Sequence, residues 1–183
     1  MRIYGNRKIK TVSGPLTRPT TSRVREAVFE IWRSRVEGCR WLDLCCGSGS
    51  MGAEALCRGA NLVMGIEQSG QACAVIQENW QRLATPDQTW KVLRGNVIQR
   101  LPKLKQSFDL IYFDPPYDGG IYAGVLDAIA THSLLTSDGE IGAEHNPKQE
   151  LPLKIKGMMA QRTKLYGNSA VTFYRWDNNE GTR

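Results

Sequence analysis

Histidine is scarce in this chain: 183 residues hold two, His132 and His145. Neither has a triad-like neighbour, so nothing points to hydrolysis through a Ser-His-Asp relay. The five cysteines (Cys39, Cys45, Cys46, Cys57, Cys73) form no Cys-x-x-Cys pair, and with so little histidine they do not supply a structural zinc site. They read as small core residues in a reducing compartment, and no metal is expected. No apolar stretch approaches the ~20 residues of a membrane span, and Met1 to Lys8 lacks the apolar segment of a signal peptide. Repeats and low-complexity tracts are missing too. At this length a cytoplasmic protein of one domain with a small appendage is expected, with no membrane partner.

Acid is sparse where base is abundant. Residues 1–40 contain ten Lys/Arg against three Glu, whereas residues 41–183 contain fourteen against fifteen Asp/Glu. The net charge of +6 therefore resides wholly in the N-terminal segment, which suggests a polyanion-binding arm on a neutral catalytic body. A merely solvated basic face is the alternative. The arm starts as a loosely alternating stretch, Arg2 to Val12, whose Gly5-Asn6 suits a tight hairpin turn. Residues 13–20 read as a loop, and Thr21 or Ser22 can cap the helix that follows. These features divide the chain into an extension over 1–20 and a catalytic domain over 21–183. In the helix, Val24, Ala27, Val28, Ile31, Trp32 and Val36 form one apolar face, with Arg23, Glu26, Glu30 and Arg33 off it.

From Arg40 the pattern becomes strand, glycine turn, helix: Trp41-Leu42-Asp43-Leu44-Cys45-Cys46, then Gly47-Ser48-Gly49-Ser50-Met51-Gly52. The glycines match G-x-G-x-x-G, and Glu67 ends a second strand, Leu62 to Glu67, twenty residues beyond Gly47. A nucleotide cofactor follows from this spacing, because glycine lets backbone approach a ligand and a strand-ending acid can accept both ribose hydroxyls. A nicotinamide dinucleotide and S-adenosylmethionine compete for it. Asp43 favours the second, since an acid inside the first strand suits a methionine ammonium; a backbone-bonding or capping aspartate is the alternative. The expected cofactor set is Asp43, Cys45, Gly47, Ser48, Gly49, Glu67, Gln68, Asn96 and Val97. Asn96 ends a third strand, Trp90 to Asn96, where its amide could meet an adenine edge with donor and acceptor or could sit in a plain turn. Between them a helix runs from Gly70 to Leu83 with Ala72, Val75, Ile76, Trp80 and Leu83 inward.

A fourth strand, Phe108 to Phe113, is stopped by Asp114-Pro115-Pro116-Tyr117. The two prolines stiffen the strand end in an extended form and leave its carbonyls free to accept. An acid, a bare carbonyl and an aromatic ring suit a flat ring that carries an exocyclic amine. Asp114 and the Pro115 carbonyl would accept from that amine, with Pro116 holding the turn and Tyr117 stacking on the base, worth ~1–3 kcal/mol. Beyond it come a helix over 121–135, a fifth strand over 139–144, an irregular connection over 147–154, and two strands, 158–166 and 170–176, joined as a hairpin. The expected fold is α/β, the Rossmann-like class I S-adenosylmethionine-dependent methyltransferase arrangement. It has a mostly parallel seven-stranded sheet, a C-terminal antiparallel hairpin and an N-terminal β-hairpin extension.

Across nearly its whole length the chain resembles the small bacterial 16S rRNA guanine-N2 methyltransferases that modify guanine 966. The resemblance rests on Met1-Arg2-Ile3, Arg18-Pro19-Thr20-Thr21 with Arg23-Val24-Arg25-Glu26, Leu42-Asp43-Leu44 with Gly47-Ser48-Gly49, and Asp114-Pro115-Pro116-Tyr117. The family often has Phe-Ala at Cys45-Cys46, and many members have Asp at Ser22. The resemblance implies methyl transfer to 16S rRNA within a 30S subunit or assembly intermediate. Arg2, Arg7, Lys8, Lys10, Arg18 and Arg23 would meet phosphates. Rival readings are a methyltransferase of adenine N6 or protein glutamine, a non-catalytic RNA-binding assembly factor, and a dehydrogenase.

Overall fold

Successive side chains of a strand point to opposite faces, and the central strands here are apolar in both registers, so each must be covered on both sides. The computed structural model describes residues 1–12, 21–116 and 120–177. It opens with a hairpin of β1 (Arg2–Ile3) and β2 (Arg7–Lys8), followed by α1 (Ser22–Ile31). Strands and helices then alternate: β3 (Arg40–Leu44), α2 (Ser50–Cys57), β4 (Leu62–Glu67), α3 (Gly70–Leu83) and β5 (Thr89–Arg94). They continue as α4 (Val97–Arg100), β6 (Phe108–Phe113), α5 (Tyr122–Thr131) and β7 (Leu135–His145). Last come β8 (Lys154–Ile155), β9 (Met158–Tyr166) and β10 (Ser169–Trp176).

The main sheet has the order β5-β4-β3-β6-β7-β10-β9-β8. Its first five strands are mutually parallel, and β10, β9 and β8 join antiparallel. From β3 the chain first winds outward through β4 to β5, then returns to β6 on the other side of β3. The crevice at the carboxyl ends of β3 and β6 is thus the topological switch point, where open α/β sheets place their ligands. Helices α1, α2 and α3 cover one face over Trp41, Val63, Leu110 and Phe173. Helices α4 and α5 cover the other, over Leu42, Leu44, Ile111 and Phe113.

The expected architecture holds, with local corrections. The sheet has eight strands rather than seven, because Lys154, the last residue of the expected irregular stretch, and Ile155 pair with Met159 and Met158. Helix α5 ends at Thr131, not 135. Ser133 turns at φ 51°, and Leu134 and Leu135 carry the apolar pattern into β7, which starts four residues earlier than expected. The arm is the expected hairpin, with Gly5 and Asn6 at φ 67° and 60° in its turn. Thr21 is the cap, its Oγ1 accepting from Val24 N–H. Cys39 and Cys73 are buried as expected, but Cys45, Cys46 and Cys57 are only half-buried; all five are free thiols. No helix among the described residues is long and apolar enough to cross a membrane.

One buried group was not legible from the apolar pattern. Arg25, 2% exposed, lies on the inward face of α1, and its Nε donates to Glu54 Oε2 of α2 at 2.7 Å. Its Nη2 donates to Arg2 O at 2.8 Å, while Arg58 takes the other Glu54 oxygen at 2.8 Å. Helix, hairpin and α2 are thereby pinned together. We expect Glu54→Ala, which strands a buried guanidinium, to cost about 3–5 kcal/mol in urea unfolding. Arg33→Ala, which breaks the exposed pair with Glu30, should cost under ~1 kcal/mol.

Candidate functional site

The alternation of β3 sends Trp41 and Asp43 toward α2 and sends Leu42 and Leu44 the other way. Asp43 therefore ends up 2% exposed under the start of α2, where its Oδ2 accepts from Gly52 N–H at 3.0 Å. Burial pushes its carboxyl up to about 7, against the lowering effect of the Gly52 N–H, and the neighbouring charge of Glu67 raises it further. The donor that this buried acid meets in the protein is a backbone amide.

Gly47, Ser48 and Gly49 form the turn between β3 and α2. Glu67, at the end of β4, accepts from Gly47 N–H through Oε2 at 2.9 Å and from Ser69 N–H through Oε1 at 2.8 Å. Its carboxylate is fixed between the turn and the start of α3. The glycines of the fingerprint do different work. Gly47 is at φ 54°, and a Cβ there would meet nothing within 4 Å, so backbone is open on that side. A Cβ on Gly49 would lie 2.9 Å from Ile76, and on Gly52 2.2 Å from the Trp80 ring. Those two make room for α3, and only Gly47 fits the expectation of ligand approach.

The remaining expected cofactor residues scatter in kind. Cys45 is half-buried at φ 62°. Burial, and then the carboxylates of Glu67, Asp114 and Asp43, push its thiol up to about 12. Gln68 is exposed beside Glu67. Asn96 caps α4, its Oδ1 accepting from Ile98 and Gln99 N–H. Val97, the first residue of α4, is 5% exposed and packed in the core.

Asp114 follows β6 directly, half-buried, its N–H donating to Leu44 O at 3.3 Å. Pro115 is buried and Pro116 exposed. Tyr117 lies outside the described residues, as does Arg18. The strand ends of β3, β4 and β6 thus bring three carboxylates around one glycine turn. Beside them, Tyr112 donates to Glu144 Oε2 at 2.5 Å, a buried pair that the sequence reading missed. His145 is occupied by Thr172 and Asn146. No group of His, Cys, Asp and Glu suited to a metal occurs among the described residues.

The arm is less uniformly free than its charge suggests. Arg2 donates to Asn6 Oδ1 at 2.6 Å and Arg7 to Tyr4 O at 3.4 Å, both exposed. Lys10 pairs with Glu78 at 2.5 Å. Lys8 and Arg23 are exposed. Of the ten cations counted in residues 1–40, Arg25, Arg35 and Arg40 are engaged by Glu54, Glu140 and Asp109.

The family model described as Conserved hypothetical protein 95 matches residues 1–175. The chain is 32% identical over 171 residues to "Putative rRNA methyltransferase YlbH" of Bacillus subtilis, covering 92% of this chain and 93% of that one. It is 28% identical over 180 residues to "Ribosomal RNA small subunit methyltransferase D" of Escherichia coli, covering 96% and 89%. Among solved structures, "Putative methyltransferase yhhF" of Escherichia coli superposes with a TM-score of 0.82 at 25% identity, over 97% of this chain and 98% of that one.

Asp43 makes stability depend on pH in a definite direction. Its carboxyl holds a proton in the folded state up to about pH 7, whereas in the unfolded chain it ionises near 3.9. The stabilisation is full below the unfolded value and is lost as pH rises toward 7, with a slope of at most ~1.4 kcal/mol per pH unit. We expect urea midpoints of the wild type to fall over this window relative to those of Asp43→Asn, measured pH by pH. Parallel profiles would show that Asp43 does not titrate there.

Proposed function

The chain belongs to the conserved hypothetical protein 95 family, and from that premise we propose that it methylates the exocyclic N2 amine of a guanine in small-subunit ribosomal RNA. By the resemblance set out above, the donor is S-adenosylmethionine and the base guanine 966. The observation that carries the reading is the convergence of Asp43, Glu67 and Asp114 at the carboxyl ends of β3, β4 and β6, around the open backbone of Gly47.

That donor set fits the cofactor. The acids Asp43 and Glu67 suit a ligand with an ammonium and ribose hydroxyls, and Gly47 leaves room for it on the open side of the turn. Asp43 and the turn would hold the methionine end, and Glu67 the ribose. Asn96, its carbonyl capping α4, would offer its amide N–H groups. When bound, S-adenosylmethionine supplies a methyl carbon already activated toward nucleophiles, so the protein's main task is positioning.

The amine itself is a poor nucleophile, because its lone pair is delocalised into the ring. Asp114 and the Pro115 carbonyl accept from it and localise that pair, and Asp114 takes up the proton lost as the C–N bond forms. Pro115 is buried and Pro116 follows it, which keeps the acceptor carbonyl in one direction. Tyr117 stacks on the base. Reaching a base edge requires an unstacked nucleotide, which favours a loop over continuous duplex. The exposed cations Arg2, Arg7, Lys8 and Arg23, with Arg18, hold the backbone of the RNA, in a 30S subunit or an assembly intermediate.

Transfer of labelled methyl groups to 16S rRNA and to 30S particles, followed by nucleoside analysis, tests this reading. N2-methylguanosine is the expected product, and label in adenosine or in protein would overturn it. Asp114→Ala should abolish transfer while leaving cofactor affinity nearly intact in calorimetry. Replacing Lys8 and Arg23 with Gln should lower the slope of log Kd for RNA against log salt by about 0.7–0.9 per lost phosphate contact.

A further inference from the structure

Asn79 is 1% exposed on the inward face of α3, between Ile76 and Trp80, where packing ordinarily takes an apolar residue. Its amide is met by backbone sixty-nine residues earlier in the chain. Lys10 N–H donates to Asn79 Oδ1 at 2.9 Å, and Asn79 Nδ2 donates back to Lys10 O at 2.9 Å. The side chain thus pairs with Lys10 as a neighbouring strand would. The same Nδ2 lies 3.4 Å from Ser48 O, inside the glycine turn. Two residues on, Val12 N–H donates to Ser48 Oγ at 3.1 Å. From the next helical position, Trp80 Nε1 donates to Gly49 O at 2.9 Å.

The strap that leads out of the basic hairpin and the turn assigned to the cofactor therefore meet on one buried side chain. Nothing in cofactor binding or in amine activation calls for an amide there. Asparagine is the residue that can do it: one acceptor for an N–H and two donors for two carbonyls, in a single planar group.

We propose that Asn79 is a positioning residue that joins the arm to the glycine turn, so that RNA held by the arm and cofactor held by the turn strengthen each other's binding. The proposal rests on the functional reading above. Its physical basis is shared ordering. A ligand that fixes residues 47–49 also fixes residues 10–12 through Asn79 and Ser48, and the second ligand then meets a segment already ordered. Linkage requires the effect to be equal in both directions.

The test uses the full chain, S-adenosylhomocysteine as cofactor probe and a transcript of small-subunit rRNA. Calorimetry with and without RNA gives one ratio of dissociation constants, and RNA binding with and without S-adenosylhomocysteine gives the other. We expect both ratios to be about 5-fold or more in the wild type, at the lower end of typical couplings, and equal to each other. Asn79→Leu keeps the side-chain size and loses the hydrogen bonds; its two ratios should fall to one while it still binds each ligand alone. A wild-type ratio of one, or a wild-type ratio retained by Asn79→Leu, overturns the proposal. Should the variant fold poorly, hydrogen exchange on the wild type decides: S-adenosylhomocysteine should slow exchange of the Lys10 and Val12 amides, and unchanged rates overturn the joint. A wild type that binds both probes without coupling removes the joint alone, whereas one that binds neither removes the functional reading and the joint with it.

Discussion

The hydrogen bond from Gly52 N–H to the buried Asp43 carboxylate fixes where the rest of the site falls. A carboxyl out of water needs a donor, and the first turn of α2 presents backbone N–H groups with no partner inside the helix. Satisfying both ties the end of β3 to the start of α2, and the residues between have one short path to follow. That path is the turn of Gly47 to Gly49, whose first N–H then meets Glu67. The second acid is placed by the first. Asp114 comes to the same edge by the independent route of β6, whose ladder with β3 runs from Trp41 paired with Leu110 to Leu44 paired with Phe113.

Packing from below constrains the same turn. The Trp80 ring fills the space beneath Gly49, Gly52 and Gly65, each of which would clash if it carried a Cβ, and its indole N–H holds Gly49 O. The turn is shaped on its inner side by the core and left open on its outer side at Gly47. A fingerprint of glycines thus reports two requirements at once, close packing of a helix and access for a ligand, and only the three-dimensional arrangement separates them.

Much of this was legible in the sequence. The strands that carry Asp43, Glu67 and Asp114, the helix from Gly70 to Leu83, and both hairpins follow from alternation, from glycine spacing and from the stop at Pro115-Pro116. What escaped was polar. Arg25 and Asn79 sit on buried helical faces, each three or four residues from apolar neighbours on the same side, and a reading that sorts residues into apolar-in and polar-out sends them to solvent. Their positions were the available signal. The cap that Asn96 places on α4 escaped for a different reason: the helix is only four residues long and its apolar pattern too short to read. The end of α5 was misjudged because the apolar pattern runs on through Leu134 and Leu135 into β7 without a break in composition.

The short strand β8 has a consequence for self-association. It covers only Met158 and Met159 of β9, so the remainder of that nine-residue strand forms the outer margin of the sheet among the described residues. Open margins invite a strand from another molecule to add on, and charged side chains along them discourage it. Arg162 and Lys164 stand at alternate positions of this margin, and Arg162 is drawn inward to Glu140 and over the Phe173 ring. Charge along this margin opposes edge-to-edge pairing with a second copy, and Lys164 carries it on the exposed side.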